Sequence, residues 1–340
     1  MKRSTVRRAL ILLALLIVSA ALFLGFQSHR RPAVTPYQAL LLPAAAAAPG
    51  ELRVRFAGVS SLLFDDGETA WMTDGFFSRP SLAAMFGRIA PDQARIGAGL
   101  QSLGVGHLAA VIPLHSHYDH AMDAPVVARL TGALLIGSAS TLQIGRGYGL
   151  AEGAMREIKP GDSLQLGKFK LSFLKGRHSP TAWSDGITRE DIEAPLTPPA
   201  PASAWREGQV WSLLVEHGGR TLLVQASAGY VPDALKDVKA DVVLLGVGTL
   251  GKKDSAYLDA YWAEVVQLSG ARRVIPIHWD DFWLPLPRED GGILPALPYL
   301  IDDFGRTMSE LQARADRDRR ELRLPPLRSL FNPFAGVPPR

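Results

Sequence analysis

The hydrophobic pattern divides the chain into parts of different character. A charge-free apolar run from Ala9 to Phe26 comes first, and a stretch with four prolines, residues 32–50, follows it. From residue 51 onward, short apolar runs with period-two alternation are interspersed with stretches at helical spacing. The pattern predicts an N-terminal apolar segment (1–31), a linker (32–50), an α/β body (51–300), and a C-terminal helix with a proline-rich tail (301–340).

Within the body, this periodicity predicts a series of strands and helices. Apolar runs bounded by turn residues predict strands at 52–56, 60–65, 69–73, 109–114, 133–136, 155–158, 163–166, 168–175, 210–216, 220–224, 241–245 and 273–277. Helical spacing predicts helices over 92–103, 121–130, 256–268 and 302–322. The last of these helices carries an apolar stripe that we expect to pack on the body.

A long irregular segment, Ser179 to Gly208, interrupts the alternation. It contains five prolines and two tryptophans, Trp183 and Trp205, and it exceeds the usual length of a connection. Loops of this length are often lids or binding loops, so we interpret the segment as a wall of a pocket. The alternative is a surface insertion whose tryptophans pack on the core.

The N-terminal apolar run has 18 residues, which lies at the boundary between the core of a signal peptide and a membrane span. Basic residues precede it, and no small-x-small cleavage site follows it directly. These features favour an uncleaved membrane anchor over a cleaved signal peptide. The basic start predicts that the body lies on the periplasmic, extracytoplasmic side of the inner membrane. A secreted form, released by signal cleavage, is the alternative.

The charge of the chain is concentrated at its two ends. The formal net charge is +4, residues 1–31 carry six Lys or Arg and no acidic residue, and residues 306–340 carry eight Arg against four acidic residues. About −6 therefore remains for the body, which excludes nucleic acid as a partner and leaves a membrane surface as a partner for the ends. The chain has no cysteine, which excludes disulfides and thiolate ligands.

The strongest chemical signal is a run of metal-competent side chains, His115-Ser116-His117-Tyr118-Asp119-His120. It lies between the predicted strand 109–114 and the predicted helix 121–130, and α/β proteins place their chemistry at such strand ends. Three imidazoles and a carboxylate suit a divalent ion such as zinc. The run therefore predicts a metal site for zinc, with iron or manganese as alternatives.

This run, with the pattern H-x-H-x-D-H, resembles the signature of the metallo-β-lactamase superfamily. Further landmarks match the superfamily's pattern: Asp74 in Thr73-Asp74-Gly75, His178 in Lys175-Gly176-Arg177-His178, and His278 in Ile275-Pro276-Ile277-His278-Trp279. The strings around Asp119 and His278 look like the branch that includes N-acylphosphatidylethanolamine phospholipase D and ascorbate-phosphate lactonase. The resemblance implies a four-layer αββα sandwich of the α/β class.

The resemblance also implies two metal positions. The first would be held by three histidines, His115, His117 and His178, leaving an open position for a water molecule whose pKa a zinc ion lowers to about 7. The second would be held by Asp119, His120 and His278, and Asp119 would also orient the nucleophile. Asp74 would accept a hydrogen bond from a ligand imidazole and fix its tautomer.

One landmark of the superfamily is replaced in this chain. Where the superfamily has an aspartate that bridges the two metals, this chain has Ser227, in Gln225-Ala226-Ser227-Ala228-Gly229-Tyr230. A neutral serine is a poor metal ligand, so we expect one tightly held metal and a weak second one. Asp280 and Asp281 are candidates to supply the missing carboxylate, and hydrogen bonding within their own loop is the alternative.

For function, the resemblance implies a metal-dependent hydrolase that uses a metal-bound hydroxide on an ester, a phosphodiester or a lactone. Its substrate would be a small molecule or a lipid. A mononuclear-iron oxygenase of the same fold and a non-catalytic binding protein are the alternatives. His107 and His217 match no landmark and are interpreted as surface or loop residues, and Trp279 and Trp283 are expected to line the pocket or the core.

Overall fold

The computed structural model describes residues 2–45, 50–181 and 190–340, so Trp183 lies outside the described residues. A first β-sheet consists of the strands Arg53–Phe56 (β1), Leu62–Asp65 (β2), Ala70–Thr73 (β3), Ala110–Ile112 (β5), Leu134–Gly137 (β6) and Met155–Glu157 (β7). They are ordered β1-β2-β3-β5-β6-β7, antiparallel up to β3 and parallel beyond it. The strands predicted at 60–65 and 69–73 form a hairpin as β2 and β3, and in its turn Asp66 accepts the N–H groups of Glu68 and Thr69.

A second sheet of seven strands faces the first. Its strands are Ser163–Leu166 (β8), Phe169–Lys175 (β9), Trp211–His217 (β11), Arg220–Gln225 (β12), Val242–Gly246 (β13), Arg273–Ile277 (β14) and Glu321–Leu322 (β15), in the order β15-β14-β13-β12-β11-β9-β8. The strands β12 to β15 run parallel, and β12, β11, β9 and β8 are antiparallel to one another in turn. A separate two-stranded sheet pairs Arg88–Ile89 (β4) with Ala200–Pro201 (β10).

Helices cover the outer faces of both large sheets, whereas the N-terminal helix is exposed along its described length. The α-helices are Lys2–His29 (α1), Gln93–Ser102 (α2), Tyr118–Ala121 (α3), Ala124–Thr131 (α4), Ala139–Gly147 (α5), Ser255–Trp262 (α6) and Phe304–Asp318 (α7). A π-helical turn, Ala263–Gln267, continues α6. Single turns of 3₁₀-helix lie at Thr35–Leu40, Leu82–Phe86, Glu152–Ala154, Ala202–Ala204 and Leu250–Lys252.

The apolar core lies in layers that match the expected sandwich. Between the sheets, Phe64 and Trp71 of the first sheet stack 4.3 Å apart, and Trp71 meets Phe169 of the second. A second apolar cluster joins the outer face of the first sheet to α2, α4 and α5. The helices α6 and α7 pack through residues such as Trp262 and Leu311 against the second sheet. The four-layer αββα architecture is therefore confirmed.

Two predicted helices differ from the observed ones in ways that the local chemistry explains. The helix predicted over 121–130 begins at Ala124, as α4, because the Asp123 carboxylate binds the N–H groups of Phe77 and Ser78 and Pro125 lies in the first turn of the helix. The short helix α3 precedes it, mostly within the histidine run. The helix predicted over 302–322 ends at Asp318. Arg319 has a left-handed backbone (φ 54°), and the following residues turn into β15.

The segments that flank the body pack on it. The linker predicted at 32–50 contains a 3₁₀ turn, and Leu42 donates its backbone N–H to Leu324 at 2.9 Å. Tyr37 packs edge-on against Phe304 with ring centroids 5.4 Å apart. The proline-rich tail lies along β1, where Phe331 and Val54 exchange backbone hydrogen bonds. The predicted linker therefore contacts the body at Tyr37 and Leu42, while most of its described side chains stay partly or fully exposed.

Candidate metal centre

Side chains from both sheets meet where strands end. Five predicted site positions lie within three residues of a strand's carboxyl end: Asp74 after β3, His115 after β5, His178 after β9, Ser227 after β12 and His278 after β14. The strands β9, β12 and β14 all run in one direction, so their carboxyl ends share one edge of the second sheet. This arrangement brings distant parts of the sequence into two groups of metal-competent residues.

The first group consists of His115, His117 and His178, whose candidate ligand atoms lie within 4.8 Å of one another. His115 Nε2 lies 3.1 Å from His117 Nδ1. His178 Nδ1 lies 2.8 Å from the carbonyl oxygen of Ser179 and donates its proton there. In the neutral ring this leaves the lone pair on Nε2 free for a ligand.

The second group consists of Asp119, His120 and His278. Its donor atoms form a triangle. His278 Nε2 lies 3.2 Å from His120 Nε2. Asp119 Oδ2 lies 3.6 Å from His120 Nε2 and 3.4 Å from His278 Nε2. All three side chains are buried or nearly so. The group therefore presents two nitrogens and one carboxylate oxygen to a common point.

The spacing of these donors fits a divalent ion. Two ligand atoms held about 2.1 Å from a tetrahedral ion lie about 3.4 Å apart. The separations of 3.1 to 3.6 Å match this value.

Burial and mutual repulsion keep part of this cluster neutral. Burial lowers the pKa of His115 well below its usual value, and the neighbouring histidines lower it further. Burial also lowers the pKa of His178 to about 4. A neutral imidazole is the form that binds a metal. His115 and His178, two of the three rings of the first group, are therefore ready to act as ligands at neutral pH.

His120 is controlled differently, because two carboxylates face it. Burial favours the neutral ring, but Asp74 and Asp119 outweigh it and raise the pKa of His120. Asp74 Oδ2 lies 2.7 Å from His120 Nδ1 and also accepts a hydrogen bond from Ser60 at 2.5 Å. Its other oxygen accepts the Leu114 N–H at 2.9 Å. Asp74 thus orients the His120 ring with Nε2 toward the second group.

Asp119 remains ionised in this setting. Burial acts to raise its pKa, but His120 and His278 overcome that effect and hold the pKa well below its usual value. A carboxylate that keeps its charge is an effective metal ligand and an acceptor for the proton of a water molecule. Both roles expected for Asp119 are chemically open to it.

His278 is held by an unusual backbone. Its φ of 64° lies in the left-handed region, which a non-glycine residue rarely adopts. Gly248 allows this path, because a Cβ there would lie 2.9 Å from the His278 carbonyl oxygen. The Phe282 ring lies 5.7 Å from the imidazole, centroid to centroid. The turn after β14 therefore sets the position of one ligand of the second group.

Ser227 occupies a structural position beside the first group. Its Oγ accepts the backbone N–H of Ser179 at 2.9 Å, and the side chain is buried. Ser179 is the neighbour of His178, and its own hydroxyl lies 2.8 Å from Thr249 Oγ1. Ser227 therefore supports the backbone that carries His178.

Asp280 and Asp281 are engaged by arginines. Asp280 pairs with Arg79 at 2.6 Å, and Asp281 pairs with Arg31 at 2.6 Å. Neither aspartate belongs to the two groups formed by the described residues. Because their charges are already paired in the loop that they stabilise, this arrangement favours the alternative of hydrogen bonding within the loop over replacement of a bridging carboxylate.

Two predictions about other side chains have different outcomes. His107 is exposed, with its Nδ1 2.8 Å from the Thr131 carbonyl oxygen, as expected of a surface residue. The same expectation for His217 is wrong: its ring is buried at the end of β11, 3.0 Å from Asp66 Oδ2. Its position on the inward face of a strand explains the burial.

The two tryptophans after His278 take different places. Trp279 is fully buried and stacks between Phe56 and Phe304, so it belongs to the core. Trp283 is partly exposed and donates from Nε1 to the hydroxyl of Tyr118 at 3.1 Å. Tyr118 precedes Asp119, and burial raises the pKa of its hydroxyl well above the usual value. This Tyr118–Trp283 contact beside the cluster was not predicted from the sequence.

The described part of the irregular segment, residues 190–208, lies against the histidine run. The carbonyl of Glu207 accepts the N–H of Ser116, and Asp191 accepts a hydrogen bond from Ser140. Trp205 is fully buried in an apolar cluster that also includes Phe282. The segment therefore packs its tryptophan into the core and also borders the site.

A family profile described as "Beta-lactamase superfamily domain" matches residues 82–279 of the chain. This range contains all six residues of the two ligand groups. It covers more than half of the chain.

Individual proteins support the same placement. The chain is 23% identical over 272 residues to a UPF0173 metal-dependent hydrolase of Heliobacterium modesticaldum, a match covering 76% of this chain and 91% of that protein. Among solved structures, a possible metal-dependent hydrolase from Veillonella parvula matches with a TM-score of 0.51 and 12% identity, over 83% of this chain and 99% of that one. CmlA, a diiron β-hydroxylase from Streptomyces venezuelae, matches with a TM-score of 0.51 and 13% identity, over 84% of this chain and 54% of its own. At these identities the structural matches show the fold alone.

Proposed function

Because the chain belongs to the β-lactamase superfamily, we propose that it is a metal-dependent hydrolase acting on an ester, a phosphodiester or a lactone. The observation that carries the proposal is the convergence of two groups of donors, three histidines in one and two histidines with an aspartate in the other. The relatives described as metal-dependent hydrolases support the reaction class. The two strings quoted above favour the phospholipase and lactonase branch within the superfamily.

In the proposed site, His115, His117 and His178 hold one divalent ion, and Asp119, His120 and His278 hold a second. A bound ion would supply an activated water molecule and would polarise the scissile bond of the substrate. Asp119, whose pKa is held low, would accept a hydrogen bond from that water and orient it. Asp74 keeps the His120 ring in one orientation through its 2.7 Å contact.

We expect the metal to be zinc, with unequal affinity at the two positions. Ser227 supplies no negative charge where the superfamily has a bridging aspartate, and its hydroxyl is occupied by the Ser179 N–H. Two neighbouring dications repel each other, so a missing carboxylate weakens the second one most. The first group, with three histidines, is the proposed tight site.

The proposed location is the outer face of the inner membrane. Residues Val6–Gln27 of α1 are long and apolar enough to cross a bilayer, since 22 residues of helix span about 33 Å. We accordingly treat residues 1–31 as an anchor and 51–300 as the catalytic body, on which the linker and residues 301–340 pack. An anchored hydrolase would meet lipids as well as small molecules as substrates.

The test combines metal analysis with a substrate screen. Protein purified without added metal is analysed for zinc, iron and manganese, and is then assayed on chromogenic esters, phosphodiesters and lactones. We expect zinc, and hydrolysis that a chelator abolishes and zinc restores. Iron together with oxygen consumption would instead identify an oxygenase, and bound metal without turnover of any substrate class would indicate a binding protein.

A further inference from the structure

The turn that follows His278 is held by two arginines from different parts of the chain. Arg79, from the body, is almost fully buried, pairs with Asp280 at 2.6 Å and donates to the carbonyls of Asp281 and Leu284. The second arginine, Arg31, comes from the segment directly after the apolar helix α1. The turn therefore links the body to the segment nearest the proposed membrane anchor.

The Arg31 contact is specific and largely shielded from water. Both Nε and Nη2 of Arg31 lie within hydrogen-bond distance of Asp281 Oδ2, at 2.7 and 2.6 Å. The Asp281 side chain is fully buried, and three quarters of the Arg31 side chain is buried as well. A buried charge pair in this geometry is screened far less than one on the surface.

From Asp281 the contacts continue to the second ligand group along two routes. Asp281 is three residues after His278, in the turn with the left-handed backbone at His278. Its other carboxylate oxygen accepts the Trp283 N–H at 3.0 Å, and Trp283 Nε1 donates to the Tyr118 hydroxyl at 3.1 Å. Tyr118 is the neighbour of Asp119. Asp281 therefore connects to two of the three residues of this group.

The segment that carries Arg31 is itself fastened beside this turn. The N–H of Tyr299 donates to the Arg30 carbonyl at 2.8 Å, and the Arg30 guanidinium lies over the rings of Phe26 and Tyr299. The Asp281 N–H donates to the Pro295 carbonyl at 2.8 Å. The end of α1 and the loop around 295–299 thus form one packed unit with the turn.

We propose that Arg31 is a positioning residue for the second metal: through its ion pair with Asp281 it holds the His278–Trp283 turn, and so couples the membrane-proximal segment to the metal centre. The inference rests on the proposed function for the existence of the metal position. The role proposed for the Arg31–Asp281 pair is the same whichever substrate is hydrolysed.

The test measures metal binding with cobalt(II) alone, using the full chain in detergent. Visible absorption of bound cobalt reports the number and arrangement of ligands, so a titration separates the first equivalent from the second. In Arg31→Gln we expect the second equivalent to bind about tenfold more weakly, with the first unchanged, since residues that orient ligands affect affinity by about this factor. Arg31→Lys, which keeps the charge, should recover part of the affinity.

The matched control is Arg129→Gln, which removes the same charge from the exposed last turn of α4 and leaves Asp281 and the Arg30 contacts intact. Its cobalt titration should equal that of the native protein. Asp281→Asn should repeat the loss, and the double variant should lose no more than either single one, because one ion pair is removed in each case. The proposal would be overturned if Arg31→Gln bound the second cobalt ion with native affinity. It would also be overturned if the double variant lost the product of the two single losses in affinity. If Arg31→Gln does not accumulate as folded protein, the isosteric Asp281→Asn provides the test. Native affinity of that variant for the second cobalt ion would overturn the proposal.

Because the experiment measures metal binding, a result that contradicts the positioning role of Arg31 can be distinguished from one that contradicts the proposed hydrolysis. A chain that binds two cobalt ions but turns over none of the screened substrates would contradict the reaction class and leave the positioning role standing. Hydrolysis with a second-metal affinity insensitive to Arg31 and Asp281 would do the reverse.

Discussion

The six candidate ligands are prepared for metal by different means. His115 and His178 are kept neutral by burial, whereas His120 is drawn toward its charged form by Asp74 and Asp119. A dication at the second group would replace that proton as the counterion of the two carboxylates. A metal at the second group would therefore compete with a proton for His120, whose pKa these carboxylates raise.

The first residue-scale prediction concerns His117, a member of the three-histidine group. His117→Ala removes a neutral nitrogen donor, so metal content and hydrolytic activity should fall together, with activity reduced at least about 100-fold. Metal content is measured by elemental analysis and activity on the substrate found in the screen. His107→Ala is the control, because that ring is exposed and outside both groups. A His117→Ala protein that retained both metal and activity would refute the ligand assignment.

The second residue-scale prediction concerns Ser227. Ser227→Asp adds a negative charge beside the first group while keeping an oxygen that can accept the Ser179 N–H. We expect the affinity for the second metal to rise about tenfold or more, because a carboxylate offsets the repulsion between two dications. Ser227→Asn, similar in shape but neutral, should give no such gain. Calorimetric titration of zinc gives the numbers, and two equally tight metals in the native protein would contradict the account.

How far the sequence predicts the site depends on the distance over which its contacts form. The run from His115 to His120 could be identified as a metal site because its donors are close in the chain and sit between a strand and a helix. His178 and His278 were assignable only through the family resemblance. Contacts such as Ser60 with Asp74 or Arg31 with Asp281 form when distant segments pack together, so no local sequence pattern predicts them.

At the scale of elements, the pattern predicted interior strands well and termini less well. The strands predicted at 210–216 and 220–224 pair as the hairpin of β11 and β12, and Gly218 and Gly219 between them both adopt the positive φ that the turn requires. The end of α7 was predicted four residues too late. Its apolar stripe continues into Leu322, but that residue is buried in β15 beside β14. The hydrophobic periodicity shows which residues are buried. It does not show whether a buried residue such as Leu322 belongs to the end of a helix or to an edge strand.

The element-scale prediction concerns Asp302, which joins the start of α7 to the loop after β13. Its carboxylate accepts the N–H groups of Thr249, Gly251 and Asp303, and burial raises its pKa to about 6. The native state therefore binds a proton between pH 4 and 6 that the unfolded state, with a pKa near 3.8, releases. The stability contributed by this group is present at low pH and is lost as the pH rises through about 6.

Asp302→Asn removes this titration. The difference in unfolding free energy between the native protein and Asp302→Asn should therefore shift in favour of the native protein by up to about 3 kcal/mol from pH 7 to pH 4. Thermal unfolding of both proteins in detergent, followed by circular dichroism across this range, measures the shift. The histidines are the same in both proteins, so their titration contributes equally to both unfolding free energies and cancels in the difference. A difference independent of pH would show that Asp302 does not titrate in this window.

At the scale of the whole molecule, the body is bound to both of its flanking segments. The tail pairs with β1, the 3₁₀ turn at Thr35–Leu40 packs beside α7, and Arg31 reaches the turn after His278. A sandwich fixed in this way presents a defined side toward the end of α1. If α1 spans a membrane, the metal centre is fastened on the membrane-proximal side by a short, ordered connection.

The whole-molecule prediction follows from α1. We expect the full-length protein to sediment with membranes and to resist extraction by high salt and by alkaline carbonate, because a 22-residue, predominantly apolar span buries enough surface to make insertion effectively irreversible. Deletion of residues 2–27 should move the protein to the soluble fraction while leaving Arg31 and its contact in place. A protease added outside intact spheroplasts should degrade the body but not a cytoplasmic marker, since the basic start keeps the N-terminus inside. Recovery of a shortened soluble form from the native gene would instead establish a cleaved signal peptide, and protection of the body from protease would reverse the proposed orientation.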